Sequence, residues 1–222
     1  PRDGSVALKN ITLEHGTLVV CGPRSRDLLS KITDSDLTND GFPWLTSQRI
    51  TVAGVSLLAL RVNFVGELGW ELHHPIDQQV HLFDSIVEAG GEFGLRHFGM
   101  YAMESMRLEK SYRMWGSDLT REYSILEAGL SRFVRLKKDE FVGKEALLKQ
   151  KETGVAQEFV TLEIDVTDAD ALGSEPIFRN GEMIGRATSG CYGHSIGKSL
   201  ALAYVLSGNG DIGTELEIEI LA

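Results

Sequence analysis

Cysteine is nearly absent. Cys21 and Cys191 are the 2 in 222 residues, far apart and outside any Cys-x-x-Cys pair. That excludes a disulfide framework and a thiolate zinc site, and it suits a reducing compartment. Positive charge is also scarce: 22 Lys and Arg stand against 32 Asp and Glu, for a formal charge of -10. A surface of that sign repels phosphate backbones and anionic lipid head groups, and no basic run interrupts it, so no nucleic-acid partner is expected. The carboxylates are spread along the chain and form a solvated surface, not an acidic tail. No apolar run approaches the roughly 20 residues of a membrane span. Residues 1 to 15 lack the charged, apolar, small-residue order of a signal peptide, so no membrane partner is expected either. Internal repeats and low-complexity segments are missing as well.

What is present is a chain long enough for one large or two small domains, able to bury about 70 to 75 % of its unfolded surface without staples. After a polar lead, Gly16 to Cys21 reads as a short strand stopped at Gly22-Pro23, and Arg24 to Ile32 as a helix of about two turns. Asp34 to Pro43 is a connection rich in turn formers. Gln48 to Val52 and Val55 to Phe64 flank Ala53-Gly54, a hairpin signature. Val55 to Val62 is apolar at both parities, so it reads as a central strand covered on both faces. Gly66 and Gly69 permit a tight reversal, after which Trp70 and Leu72 share one face of a strand and Glu71 takes the other. Beyond Pro75, Asp77 is a plausible cap for a helix with Val80, Phe83, Ile86 and Val87 on one side, ending at Gly90-Gly91 and packing on the sheet.

Gly99 to Lys110 is the next helix, with Ala102, Met103 and Met106 as a core stripe. Turn formers with scattered aromatics fill Ser111 to Val134, and Glu140 to Lys151 is a short helix. From Glu158 the texture changes. Phe159 to Ile164, Pro176 to Phe178, Ala201 to Leu206 and Glu215 to Ile220 are strands at turn-punctuated intervals, as in a small antiparallel barrel or sandwich, which places a domain boundary near residue 155.

Motifs of apparent chemistry are weighed first against plain structure. Gly208-Asn209-Gly210-Asp211-Ile212-Gly213 has the letters of a dinucleotide fingerprint. The alternating Glu215 to Ile220 that follows is a strand, however, so no helix N-terminus is there to hold a pyrophosphate, and a turn is the better reading. His73 and His74 are adjacent and point to opposite faces of a strand, so they cannot chelate one ion. His15, His81, His97 and His194 have no partner at ligand spacing, and no metal is expected. Ser189 beside Gly190-Cys191 lacks a nucleophile elbow and an activating base and reads as a turn feeding a strand. On local pattern Glu71 is a solvated or ion-paired strand residue, Phe64 is core, and Arg132 is a surface cation.

The stretch Arg61-Val62-Asn63-Phe64-Val65-Gly66-Glu67-Leu68-Gly69-Trp70-Glu71-Leu72 resembles the folate-binding signature of the aminomethyltransferase family, which includes the glycine-cleavage T-protein. Three later stretches fit the same family in order: Ala102 to Lys110, Leu126-Glu127-Ala128-Gly129-Leu130 and Thr188-Ser189-Gly190-Cys191. The spellings Arg113-Met114-Trp115-Gly116 and Gly66 to His73 are most similar to the C-terminal half of dimethylglycine and sarcosine dehydrogenases or oxidases. Met103 stands where the T-protein pattern has Arg, and Arg132 where it has Trp. These departures point away from the T-protein itself and toward the dehydrogenase branch.

The resemblance implies an α+β fold, a mixed or antiparallel sheet with packed helices followed by a small antiparallel β-barrel. It divides the chain into a folate-binding half, 1–154, lacking its N-terminal part, and a barrel, 155–222. It implies tetrahydrofolate as the bound cofactor, with the Glu71 carboxylate accepting the paired N–H donors of the pterin, Phe64 as an aromatic surface in place of Tyr, and Arg132 toward the acidic folate tail. An upstream domain would carry FAD, oxidise the N-methyl amine and pass on the one-carbon unit, captured as methylenetetrahydrofolate. The alternatives are a stand-alone aminomethyltransferase of glycine cleavage and a non-catalytic folate-dependent binding or regulatory module. No catalytic residue is assigned in these residues. The portion that carries the family's catalytic Asp has no counterpart before Gly16, Asp34, Asp36 and Asp40 read as loop acids, and the segment alone is expected to be catalytically silent. The location implied is the cytoplasm for a bacterial source and the mitochondrial matrix for a eukaryotic one.

Overall fold

The computed structural model describes residues 4–220, so the first three residues of the polar lead lie outside the described residues. The chain forms two compact units, Pro1–Phe98 and Gly99–Ala222, each built around its own sheet.

In the first unit β1 (His15–Cys21), β2 (Ser47–Val52), β3 (Val55–Leu60) and β4 (Gly69–Pro75) form an antiparallel sheet in the order β1-β4-β3-β2. The β2–β3 hairpin turns on Ala53 and Gly54, whose φ values of 48° and 79° match a type I′ connection and its fit to strand twist. At its foot Val52 pairs with Val55. From there the parity of each strand decides its burial. Ile50, Val52, Val55, Leu57, Ala59, Val20, Trp70 and Leu72 fall on one face and are buried. They share a core with Leu28 and Leu29 of α1 (Ser25–Leu29), Leu82 and Ile86 of α2 (Gln79–Gly90), and Phe42 from the connection. Burial of each large apolar side chain stabilises by about 1.5 to 3 kcal/mol relative to exposure.

Several local readings shift. β3 is an interior strand, but α1 and α2 lie on one side of the sheet only. Its second face therefore carries half-buried Leu58 and Leu60 and an exposed Ser56. The strand ends at Leu60 instead of Phe64 because Asn63 turns the backbone. Its Oδ1 accepts from Val65 N at 2.9 Å and Glu67 N at 3.2 Å, an Asx-type arrangement that competes with the ladder. Gly66 has φ 74°, as a reversal needs, whereas Gly69 is required for space: a Cβ there would lie 2.7 Å from Val20 O. On α2 the buried row is Leu82, Ile86 and Gly90 at four-residue spacing. Val80 is 71 % and Phe83 40 % exposed. Gly90 completes the row because Leu95 packs where its Cβ would sit. Asp77 lies in a 3-10 turn, 76–78, and does not cap the helix, whose start has no side-chain cap bond.

The second unit holds α3 (Met100–Leu108), α4 (Lys144–Thr153) and β5 (Gln157–Ile164), β6 (Pro176–Arg179), β7 (Glu182–Gly193), β8 (Lys198–Leu206) and β9 (Glu217–Ile218) in the order β5-β8-β7-β6-β9. The sheet curls until its two ends share a core. Leu162 of β5 and Ile218 of β9 pack in the same apolar cluster around Ala187 and Ala201, which makes a small antiparallel barrel. β7 is a strand where the sequence pattern predicted none. Thr188 to Cys191 lies within a strand of 12 residues, with a bulge between Ala187 and Ser189, and is not a turn. Its glycines mislead because they serve close approach: a Cβ on Gly185 would sit 2.2 Å from Tyr204 O, and one on Gly190 2.3 Å from Ala171 O.

The buried side of α3 is largely polar, Ser105 and Arg107 lying beside Leu108. Ala102 is exposed and Met103 and Met106 are half-buried, while Arg107 is 1 % exposed and Asp118 0 %. Arg107 Nη1 donates to Asp118 Oδ2 and Tyr112 O at 2.8 Å each, Nη2 to Ser189 Oγ at 2.8 Å and Nε to Glu104 Oε2 at 2.8 Å. Asp118 is saturated in turn by Met114 N at 2.7 Å, Thr188 Oγ1 at 2.5 Å and Ser189 Oγ at 2.8 Å. This network ties α3 and the following loop to β7, in agreement with the rule that a buried charge is paired and hydrogen-bonded.

Candidate ligand site on the first sheet

Trp70 and Leu72 are both 0 % exposed on the core face, so strand alternation turns Glu71 and His73 to the opposite face. Val19 of β1 and Leu60 of β3 lie directly opposite Glu71 across the strands, and Thr17 and Leu58 opposite His73. Among the described residues no helix of the first unit packs there: Val19 is 44 % exposed and the Glu71 side chain 30 %. The result is a carboxylate standing between two aliphatic neighbours on an open sheet face.

Glu71 Oε2 lies 3.2 Å from His73 Nε2, and His73 Nδ1 lies 3.0 Å from Thr17 Oγ1. Among the described residues Oε1 has no hydrogen-bond partner. An ionised carboxylate offers about four lone-pair directions, so one oxygen stays open and the other retains acceptor capacity beyond the imidazole. The geometry suits a flat ligand that presents two adjacent N–H donors and rests its ring on aliphatic side chains.

The residues expected at the site are distributed as follows. Glu71 and Phe64 both belong to the first unit, Phe64 as a half-buried residue of the β3–β4 connection. Arg132 is an exposed residue of the second unit, in a 3-10 turn at 131–133, with its guanidinium 4.8 Å from the Phe133 ring centroid. There it lines a cleft of about 1090 Å³ together with Arg135, Lys137, Lys138 and Lys151, a local concentration of positive charge on an acidic chain. Asp34, Asp36 and Asp40 are exposed. Asp36 accepts bonds from Thr38, side chain first and backbone second, which hold its carboxyl below the usual range.

Other motifs occupy themselves. Gly208, Asn209 and Gly210 aim their backbone N–H groups at one atom, Glu158 Oε1, at 2.8, 3.2 and 2.9 Å, so an internal carboxylate fills the place an anion would take. His74 is buried between Leu72 O at 2.9 Å and Gln79 Oε1 at 2.7 Å. Cys191 is held neutral: burial first, and then the Glu104 charge, pushes its thiol up to about 11.

Sequence reasoning missed His73 as a partner of Glu71, although the signal was available in the spacing of two that puts 71 and 73 on one strand face. Nothing local announced Thr17, which comes from 56 positions away.

Comparison with known proteins agrees with this architecture. Dimethylglycine dehydrogenase, mitochondrial, from Homo sapiens is 43 % identical over 217 residues, covering 97 % of this chain and 25 % of the relative. Sarcosine dehydrogenase, mitochondrial, from Mus musculus is 38 % identical over 196 residues, covering 88 % of this chain and 21 % of the relative. The chain thus spans about a quarter of the length of the curated dehydrogenases it matches. The crystal structure of glycine cleavage system aminomethyltransferase T from Bartonella henselae superposes with a TM-score of 0.81 at 25 % identity, covering 93 % of this chain and 55 % of that one. The family model for the GCVT N-terminal domain matches residues 1–138, and that for the glycine cleavage T-protein C-terminal barrel domain matches 157–222. With its four-stranded sheet, its small barrel and both family models accounted for, the chain belongs to the glycine-cleavage T-protein family, shared by aminomethyltransferases and by dimethylglycine and sarcosine dehydrogenases.

Proposed function

We propose that this chain is the tetrahydrofolate-binding region of a flavin-dependent N-methylglycine dehydrogenase or oxidase acting on dimethylglycine or sarcosine. The observation that carries the reading is the open-face carboxylate of Glu71, with Oε1 unpartnered among the described residues and Val19 and Leu60 on either side. A reduced pterin presents an amino group and a ring N–H side by side, and a carboxylate matches that pair. Tetrahydrofolate held there would supply the acceptor for the one-carbon unit, captured as methylenetetrahydrofolate. The chain's own residues hold and orient it: Glu71 fixes the pterin edge, Phe64 offers an aromatic surface, and Arg132 contributes a positive charge suited to the acidic tail. Relatives named as dehydrogenases, about four times this chain's length, support placing FAD and amine oxidation in another part of the longer protein. The two family models support a division of the fold near residue 155 into a folate half and a barrel. Residence in the mitochondrial matrix for a eukaryotic source, or the cytoplasm for a bacterial one, goes with this reading. No helix among the described residues is long and apolar enough to cross a membrane.

The test is Glu71→Gln in the full-length protein, with tetrahydrofolate affinity measured by calorimetry. The substitution is nearly isosteric on a half-exposed face, so the fold persists. Affinity falls by about 1.5 to 3 kcal/mol, the contribution of a hydrogen bond to a charged group. Unchanged affinity would sink the assignment. Turnover of methylated glycines by the full-length protein, without transfer from an aminomethyl carrier, separates this reading from a stand-alone aminomethyltransferase and from a non-catalytic module.

A further inference from the structure

We propose that His73 is a positioning residue for Glu71, and that Thr17 sets its tautomer, so that Thr17, His73 and Glu71 form one hydrogen-bonded relay across β1 and β4. The inference rests on the folate reading of Glu71 and extends it to two residues that were given no role from the sequence.

The chemistry follows from which atoms can donate. A carboxylate only accepts, so in the 3.2 Å contact His73 Nε2 carries the proton and donates to Glu71 Oε2. In the neutral ring Nδ1 is then the acceptor, and the Thr17 hydroxyl, 3.0 Å away, donates to it. Each link orients the next: the hydroxyl selects the Nε2–H tautomer, and the imidazole holds one oxygen of the carboxylate.

The surroundings explain why Glu71 needs this. The residues opposite it on both neighbouring strands, Val19 and Leu60, are aliphatic and offer no donor. Among the described residues His73 is the hydrogen-bond partner of the Glu71 side chain. The other ionisable groups at the same parity of the sheet are Cys21 and His15 on β1 and Arg49 on β2, and among the described residues none of them shares a hydrogen bond or ion pair with it. Without His73 a glutamate on an open strand face samples its side-chain rotamers freely, and the ligand must order it on binding. With His73 in place the carboxylate is already aimed, and Oε1 remains free for the ligand. The imidazole takes only one of the lone-pair directions of Oε2, so it orients the group without blocking a two-point contact.

The experiment measures tetrahydrofolate affinity by calorimetry on the full-length protein and its variants, with thermal unfolding midpoints recorded for each. His73→Ala weakens binding roughly fivefold, the effect of losing one ordinary orienting hydrogen bond. His73→Gln, whose amide nitrogen reaches the same place from the same strand position, restores affinity to within about twofold. Thr17→Val, which removes the bond that selects the tautomer, falls between the two. In a Glu71→Ala background His73→Ala causes no further loss, because its effect passes through Glu71. Four results overturn the proposal: wild-type affinity in His73→Ala, wild-type affinity in Thr17→Val, failure of His73→Gln to rescue, or an equal loss from His73→Ala when Glu71 is already absent. If Glu71→Gln itself leaves affinity unchanged, the folate reading fails and this inference falls with it. If Glu71→Gln weakens binding while His73→Ala does not, the relay alone is wrong.

Discussion

Asp118→Ala is the most informative single substitution for the stability of the second unit. Asp118 has no exposed surface, and four donors converge on its carboxylate: Arg107 Nη1 at 2.8 Å, Met114 N at 2.7 Å, Thr188 Oγ1 at 2.5 Å and Ser189 Oγ at 2.8 Å. Truncation strands Met114 N and the Ser189 hydroxyl proton, leaves Thr188 Oγ1 only Leu202 O at 3.2 Å, and leaves Arg107, itself 1 % exposed, with Tyr112 O and with Glu104 as its remaining carboxylate. Breaking one side of a buried ion pair costs about 3 to 5 kcal/mol. The lower part of that range is expected here, because the Glu104 side chain is 26 % exposed and still supplies a counter-charge at 2.5 Å. Urea unfolding followed by near-ultraviolet circular dichroism would report it through the tyrosines at 123 and 204, whose rings stack 3.5 Å apart with the Tyr204 hydroxyl on Asp118 O. Replacing both charges, as Arg107→Met with Asp118→Leu, should cost less than Asp118→Ala alone, since the charge then left without its partner is that of Glu104, whose side chain reaches solvent. The reasoning is refuted if Asp118→Ala costs under about 1 kcal/mol, the size of one ordinary hydrogen bond, or if the double replacement is the worse of the two.

Alkaline unfolding should show a step from Cys191. Its thiol titrates near 9.0 when free and near 11 in the fold, so the folded state retains the proton longer, and stability present below pH 9 is lost as pH rises toward 11. Cys191→Ala should flatten that part of a pH–stability profile recorded by chemical denaturation. Gly185→Ala should destabilise by about 1 to 3 kcal/mol, because the new methyl meets the Tyr204 carbonyl on the paired strand and neither backbone can yield cheaply. A thermal midpoint equal to wild type would refute that. Ala53→Asn should raise stability by a few tenths of a kcal/mol, since Ala53 sits at φ 48° in a two-residue hairpin turn where Asn-Gly is the preferred pair. Differential scanning calorimetry resolves its sign.

Much of the first unit was legible because its determinants are local. The hairpin at Ala53-Gly54 is demanded by two positive-φ positions between alternating apolar runs. Trp70, Glu71 and Leu72 take their faces from the two-residue period of a strand alone. The amino-acid order also determined that Glu71 leaves the core and that the family signature lies across the β3–β4 connection. It did not determine what Glu71 meets. Thr17 reaches His73 only through the β1–β4 register, in which a slip of one residue would turn Val20 and Leu18 outward and take Thr17 away from His73. The same holds in the second unit. Gly185 and Gly190 read as breaks when taken alone, because a glycine allowing a neighbouring backbone to approach is indistinguishable in sequence from a glycine in a turn. Arg107, Asp118 and Ser189 carry no shared periodicity, and only the fold, bringing a helix, a loop and a strand to one buried point, makes them a single charged network whose members stabilise one another.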